Sequence, residues 1–196
     1  MFNTIGTSIK VRVLNPDGSC VYEKEEESKS LLRAFSRTMW AIFKSASYTL
    51  VGIDGTTEDI TKPFDATDSW LLILTAVASN DDRGIVIGRG DTAVALDDYC
   101  LETLIVEGTS TNQMNYLLQT ESTVEGASED YTELKRVITN NSGATIVVKE
   151  AGVHAYFKDD MAVDKYCLIM RDILSSEANV LQGQSIEVTY KIKTVL

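Results

Sequence analysis

One histidine and three cysteines bound the nucleophilic chemistry open to this 196-residue chain. An imidazole-assisted mechanism must use His154 as base, with Cys100 or Cys167 as the candidate nucleophile. His154 lies between Val153 and Ala155 in a strand-like run, without the G-x-S-x-G turn that presents a serine nucleophile. A structural or surface role is the expectation. Cys20, Cys100 and Cys167 are odd in number, far apart and lack C-x-x-C spacing, so free thiols are expected rather than a metal site or a disulfide framework.

Oxygen chemistry is the next option. Asp81-Asp82, Asp97-Asp98 and Asp159-Asp160 are paired acids, but a calcium loop needs ligands at alternate positions, and no D-x-D-x-D-G spacing occurs. These pairs read as soluble loops, with Asp97-Asp98-Tyr99 anchoring a loop and Tyr99 and Leu101 on one face of an incoming strand. Residues 84–90 are glycine-rich yet lack the Lys-Ser/Thr of a phosphate loop and the third glycine of a dinucleotide fold. Arg89-Gly90-Asp91 spells an adhesion tripeptide and reads as a turn, and Asn140-Asn141-Ser142 spells a glycosylation sequon. The expectation is no catalytic centre, no metal and no cofactor.

The elements around these residues are mostly strands. Residues 7–14 and 20–26 flank Asn15-Pro16-Asp17-Gly18-Ser19, a turn sequence, and read as a hairpin whose second arm ends in the acidic run 23–27, suited to a solvated sheet edge. From Ser28 the apolar spacing changes to three and four, with Leu32, Phe35, Met39, Ile42, Phe43 and Ala46 on one side, predicting a helix over 28–46 capped by Ser28 or Ser30. Arg33, Arg37 and Lys44 make it locally cationic. Residues 47–83 read as loop with a short strand at 48–53 and a buried strand at 70–78. The remainder, 84–196, is the main β region, with strands at 84–90, 131–139, 145–157, 166–171 and 185–195. In the last run Ile186, Val188, Tyr190 and Ile192 alternate with polar residues, and they join Val137, Val147 and Trp70 as the expected core. The fold expected is mainly β, a single antiparallel β-sandwich domain with one long amphipathic helix near the N-terminus.

Charge limits the partners. A net charge of −11 repels phosphate backbones and anionic membranes. No apolar run reaches the roughly 20 residues of a spanning helix, and the first residues lack a secretion signal. The expectation is a chain made in the cytoplasm, with no nucleic-acid or membrane partner.

Two blocks carry a resemblance. The first runs Gly84-Ile85-Val86-Ile87-Gly88-Arg89-Gly90-Asp91-Thr92-Ala93-Val94 to Asp97-Asp98-Tyr99-Cys100-Leu101. The second joins Asn140-Asn141-Ser142-Gly143-Ala144, Val148-Lys149-Glu150, Gly152, Arg171-Asp172-Ile173-Leu174 and Gly183-Gln184-Ser185-Ile186 with Val188 and Tyr190. Together they resemble structural proteins encoded by tailed bacteriophages, with Arg89 and Asp91 departing from the small or neutral residues of that pattern. The resemblance implies a β-sandwich virion component without enzymatic activity, in the tail, baseplate or neck, or alternatively on the capsid surface. It implies other virion proteins as partners and a symmetric homo-oligomer. A host-encoded binding module is the rival. Arg33, Arg37, Lys44, Arg89 and Asp91 are the candidate protein-interaction residues.

Overall fold

The computed structural model describes residues 4–28, 30–44, 48–60, 73–126, 129–158 and 163–195. Its elements, in chain order, are β1 (Thr4–Leu14), β2 (Cys20–Ser28), α1 (Arg33–Lys44), β3 (Tyr48–Val51), β4 (Thr57–Ile60) and β5 (Gly84–Gly88). There follow β6 (Asn115–Tyr116), β7 (Thr120–Glu125), β8 (Glu129–Thr139), β9 (Ile146–Lys158), β10 (Asp164–Val180) and β11 (Ser185–Val195). The fold is mainly β and its ladders are antiparallel.

Alternation of apolar residues sets the register of the larger sheet, ordered β2-β1-β11-β8-β6 with β7 also on β8. Ile9, Val11 and Val13 of β1 lie opposite Tyr190, Val188 and Ile186 of β11, which in turn face Leu134, Arg136 and Ile138 of β8. A one-residue slip would turn this whole inward row to solvent. All nine are buried, and Arg136 is the one charge among them. On the outer side Lys10 and Arg12 meet Glu23 and Glu187 at 3.0–3.2 Å, and the acidic arm β2 forms the sheet edge, as its composition predicts.

The smaller sheet has the order β10-β9-β5. Both faces of β5 are buried, which explains its unbroken Ile-Val-Ile run. The free side of β5 is covered by the chain at 103–105: Ile105 N–H donates to Ile87 O and Arg89 N–H to Thr103 O. Apolar residues of these two sheets form one core, joined by Leu50 from the two-stranded sheet β3-β4.

Several expectations need correction. The helix is 12 residues long and starts at Arg33, because β10 captures the backbone that precedes it. Leu31 bridges Met170, Leu32 N–H donates to Ile169 O, and Arg171 N–H donates to Ser30 O. Neither serine caps the helix: Ser28 ends β2 and its hydroxyl donates to Asp172. Tertiary pairing has overridden the helical spacing. In the 70–78 run, residues 70–72 lie outside the described residues, Ile73 makes an isolated bridge to Tyr156, and Val77 is exposed, so the described part is no buried strand. Val137 and Val147 are only half-buried, since the neighbouring Ile138, Ile146 and Val148 occupy the inward positions. Ile186, Val188 and Tyr190 are core residues, Ile192 packs against the core, and Trp70 lies outside the described residues. The 50–69 stretch, read as loop, contributes β4, which pairs with β3.

Candidate functional site

Glu150 sits in β9 and Arg171 in β10, each within an apolar run, and both are buried. Gly152 is directly opposite Arg171, so the arginine lies on the β9 face that also carries Glu150, two residues away. The Arg171 Nε–H donates to Glu150 Oε2 at 2.9 Å, and its Nη1 donates to Asp98 Oδ2 at 2.7 Å. The rest of the Glu150 carboxylate is filled by backbone. Oε1 accepts from Gly90 N–H and Thr103 N–H, both at 2.9 Å, and Oε2 accepts from Glu102 N–H at 3.2 Å. Burial alone would lower the Arg171 pKa, but the hydrogen bonds to Asp98 and Glu150 outweigh it and the pKa is raised. Four donors on one carboxylate and paired acceptors on one guanidinium meet the condition for a buried ion pair to persist.

What this pair holds is the segment 89–104. Glu102 Oε2 accepts from Asp91 N–H, Thr92 N–H and the Thr92 hydroxyl at 2.8–2.9 Å, which lowers the Glu102 pKa chiefly through the Thr92 backbone bond. Asp98 Oδ2 also accepts from Ala95 N–H. The part of the first sequence block that follows β5 thus becomes an ordered ridge, residues 91–99, tied to the second block by Glu150 and Arg171. Gly90 is required by close approach: a Cβ there would stand 2.6 Å from Glu150 Oε1. The ridge nevertheless shows Val94, Leu96 and Tyr99 to solvent, with Leu96 58% exposed.

A second buried arginine works differently. Arg136 donates to five carbonyls, those of Leu117, Arg83, Ile85, Val77 and Asn80, at 2.6–3.1 Å. Its guanidinium lies 4.7 Å from the Tyr116 ring centroid. Burial lowers its pKa to about 10, still protonated at neutral pH. The Tyr116 hydroxyl donates to Ile105 O at 2.6 Å and accepts from Ile87 N–H at 3.3 Å, so this charge is used for cross-linking.

The groups that suited catalysis are not brought together. His154 lies opposite Leu168, whereas Cys167 lies opposite Ala155, so imidazole and thiol project from opposite faces of the sheet. Cys100 interacts with the charges of Arg171, Asp98 and Glu150, and Glu150 is four residues along β9 from His154, about 13 Å at strand spacing. Burial pushes His154 down to about 4 and Cys167 up to about 12. His154 Nδ1 lies 3.3 Å from Asp81 O, while Nε2 is buried without a hydrogen bond. Among the described residues no acidic, histidine or cysteine group has metal-holding geometry, and no helix is long and apolar enough to cross a membrane. Asp159-Asp160 lie outside the described residues.

The predicted interaction residues are scattered around the ridge. Arg33 and Arg37 are exposed on α1, and Arg37 Nη1 donates to Thr49 O at 2.8 Å. Asp91 is exposed on the ridge and pairs with Lys149 at 2.8 Å, while Arg89 is half-buried. The side chain of Lys44 lies outside the described residues. Asp98 anchors its loop as expected, but no strand forms there, and Tyr99 is exposed while Leu101 is buried. Asn140 of the sequon is fully buried, its amide donating to Ala144 O and Val180 O, so it is a turn-builder and no glycan acceptor. Glu150, Arg171 and Arg136 were not singled out from sequence. For Glu150 and Arg171 the signal was a charge inside a strand-length apolar run, whereas Arg136, beside Lys135 in a strand rich in charged residues, carried none. Comparison with known protein families, with curated proteins and with solved structures finds no match.

Proposed function

We propose that this protein is a structural subunit of a tailed-phage virion, a β-sandwich part of the tail, baseplate or neck that acts through symmetric protein contacts. One observation carries the reading. The two sequence blocks that resemble phage structural proteins meet at Glu150 and Arg171, and the network they form holds an exposed apolar ridge in place. That arrangement suits a protein that makes contacts, because a pre-ordered ridge loses little conformational freedom on association. Two sheets sharing one core supply the rigid base, as in a sandwich. The acidic net charge keeps nucleic acid and anionic membrane out of the reading. No catalytic turnover belongs to it, and the site of action is the particle assembled in the bacterial host.

Mass spectrometry of purified particles tests the proposal. The expected result is the protein in intact virions at a few copies relative to the major capsid protein. A copy number comparable to that of the capsid protein would move it to the head surface as a decoration protein. Absence from intact virions would overturn the assignment in favour of a host-encoded binding module.

A further inference from the structure

Past the Gly84 end of β5 the smaller sheet opens into a cleft of about 430 Å³, within the roughly 300–1,000 Å³ of small-molecule sites. Register builds its floor. Tyr156 of β9 lies opposite Tyr166 of β10, and Lys158 lies opposite Asp164, so these four side chains share one face. The wall is the loop before β5, where Asn80 Oδ1 accepts from Arg83 N–H at 3.1 Å and Arg136 holds the carbonyls of Asn80 and Arg83. Floor and wall are thus in place before a ligand arrives, which limits the ordering cost of binding.

We propose that this cleft binds a hexuronate, a pyranose sugar bearing a carboxylate. Three features select that chemistry. The two tyrosine ring centroids are 5.8 Å apart and the rings are inclined by 52°, a trough that cannot stack a planar base on both rings. A puckered ring fits it, with C–H groups set against the negative faces of the aromatic rings. Hydroxyl partners of both kinds are at hand: Asp164 Oδ1 accepts from the Tyr156 hydroxyl at 2.7 Å, which leaves Oδ2 for a sugar O–H, and Asn80 keeps its amide NH₂ as a donor. Charge is the third feature. Among the described residues the Arg83 guanidinium has no carboxylate partner and lies 5.7 Å from the Tyr156 ring centroid, while Lys158 reaches Asp164 only at 3.9 Å. Two cations therefore face one carboxylate in the lining, from which the nearby Asp82 is absent. A carboxylate on the sugar completes the balance, and the planar guanidinium is suited to bind it through two parallel bonds. The net charge of −11 opposes a polyphosphate far more than a single negative group.

This site belongs to the free chain and stands apart from the virion assignment, so either can fail alone. Titration of the isotope-labelled full chain, followed by two-dimensional NMR, reads it directly. The probes are glucuronate, galacturonate and mannuronate, with glucose, galactose and mannose as their uncharged counterparts and AMP and inorganic phosphate as rivals. The expected result is a dissociation constant on the order of 1 mM for at least one hexuronate, tighter than for its hexose. Its shifts should centre on the amides of Asn80, Arg83, Tyr156 and Tyr166. Arg83→Gln should weaken the hexuronate about tenfold and leave the hexose unchanged. Tyr166→Ala should weaken both, while Tyr166→Phe, which keeps the ring, should bind as wild type, and unchanged circular dichroism should show that each variant folds. Absence of binding by all three hexuronates up to about 20 mM would overturn the proposal. So would tighter binding of AMP or phosphate, shifts confined to another surface, or an affinity indifferent to Arg83→Gln.

Discussion

At Glu150 the arithmetic of hydrogen bonds gives a sharp expectation. Glu150→Gln retains volume and one acceptor oxygen for Gly90 and Thr103, but sets an amide NH₂ against the donors of Glu102 and Arg171. Breaking a buried pair on one side costs about 3–5 kcal/mol, and the urea midpoint should fall accordingly with the slope unchanged. A loss under about 1 kcal/mol would show that the pair contributes little. His154 gives a pH prediction with a definite sign. Its folded pKa, about 4, lies below the unfolded value of about 6.5, so between these values the unfolded chain binds the extra proton. Its contribution is present above pH 6.5 and declines as pH falls towards 4, by about 3 kcal/mol in all. Urea titrations across that window should show the loss in wild type and lack this component in His154→Phe. Neither residue's role was legible from type alone. Glu150 and Arg171 both stand inside the second sequence block, but their meeting depends on β9–β10 pairing that no local spacing reveals.

Elements were more legible where one face is buried and the other wet. The strand at 185–195 was readable to the residue because its alternation is unbroken, and the hairpin at Asn15-Pro16-Asp17-Gly18-Ser19 because Gly18 takes φ +83° at the turn. The helix boundary was not, since the bond that Leu32 N–H donates to remote Ile169 O and the one that Arg171 N–H donates to Ser30 O decide it. Asn140 shows how much one turn depends on one side chain. Its amide donates to Ala144 O and Val180 O, while its oxygen accepts from Ser142 N–H and the Ser142 hydroxyl. Asn140→Asp replaces the donor with an acceptor facing two carbonyls, and a loss of about 1–3 kcal/mol is expected on urea denaturation. Amide exchange should locate the damage: faster exchange at Gly183 and Ser142 supports the assignment, and unchanged rates there would contradict it.

On the scale of the whole molecule, alternating strands and net charge announced a β-rich acidic protein, and the structure adds that its two larger sheets are cross-linked by charge as well as by apolar packing. Arg136 opens a consequence in time. Its five carbonyl partners lie between 19 and 59 residues away in sequence, at Leu117, on the loop before β5 and on β5 itself. Those carbonyls can converge on one guanidinium only after the larger sheet and the loop before β5 have docked, so the bonds are expected to form late, after the rate-limiting step of folding. Arg136→Met, which retains an unbranched apolar stem beside Tyr116, should therefore leave the refolding rate nearly unchanged and transfer its destabilisation to the unfolding limb of the chevron. The arginine then acts as a latch on the finished molecule, lengthening the lifetime of the native state without hastening its arrival.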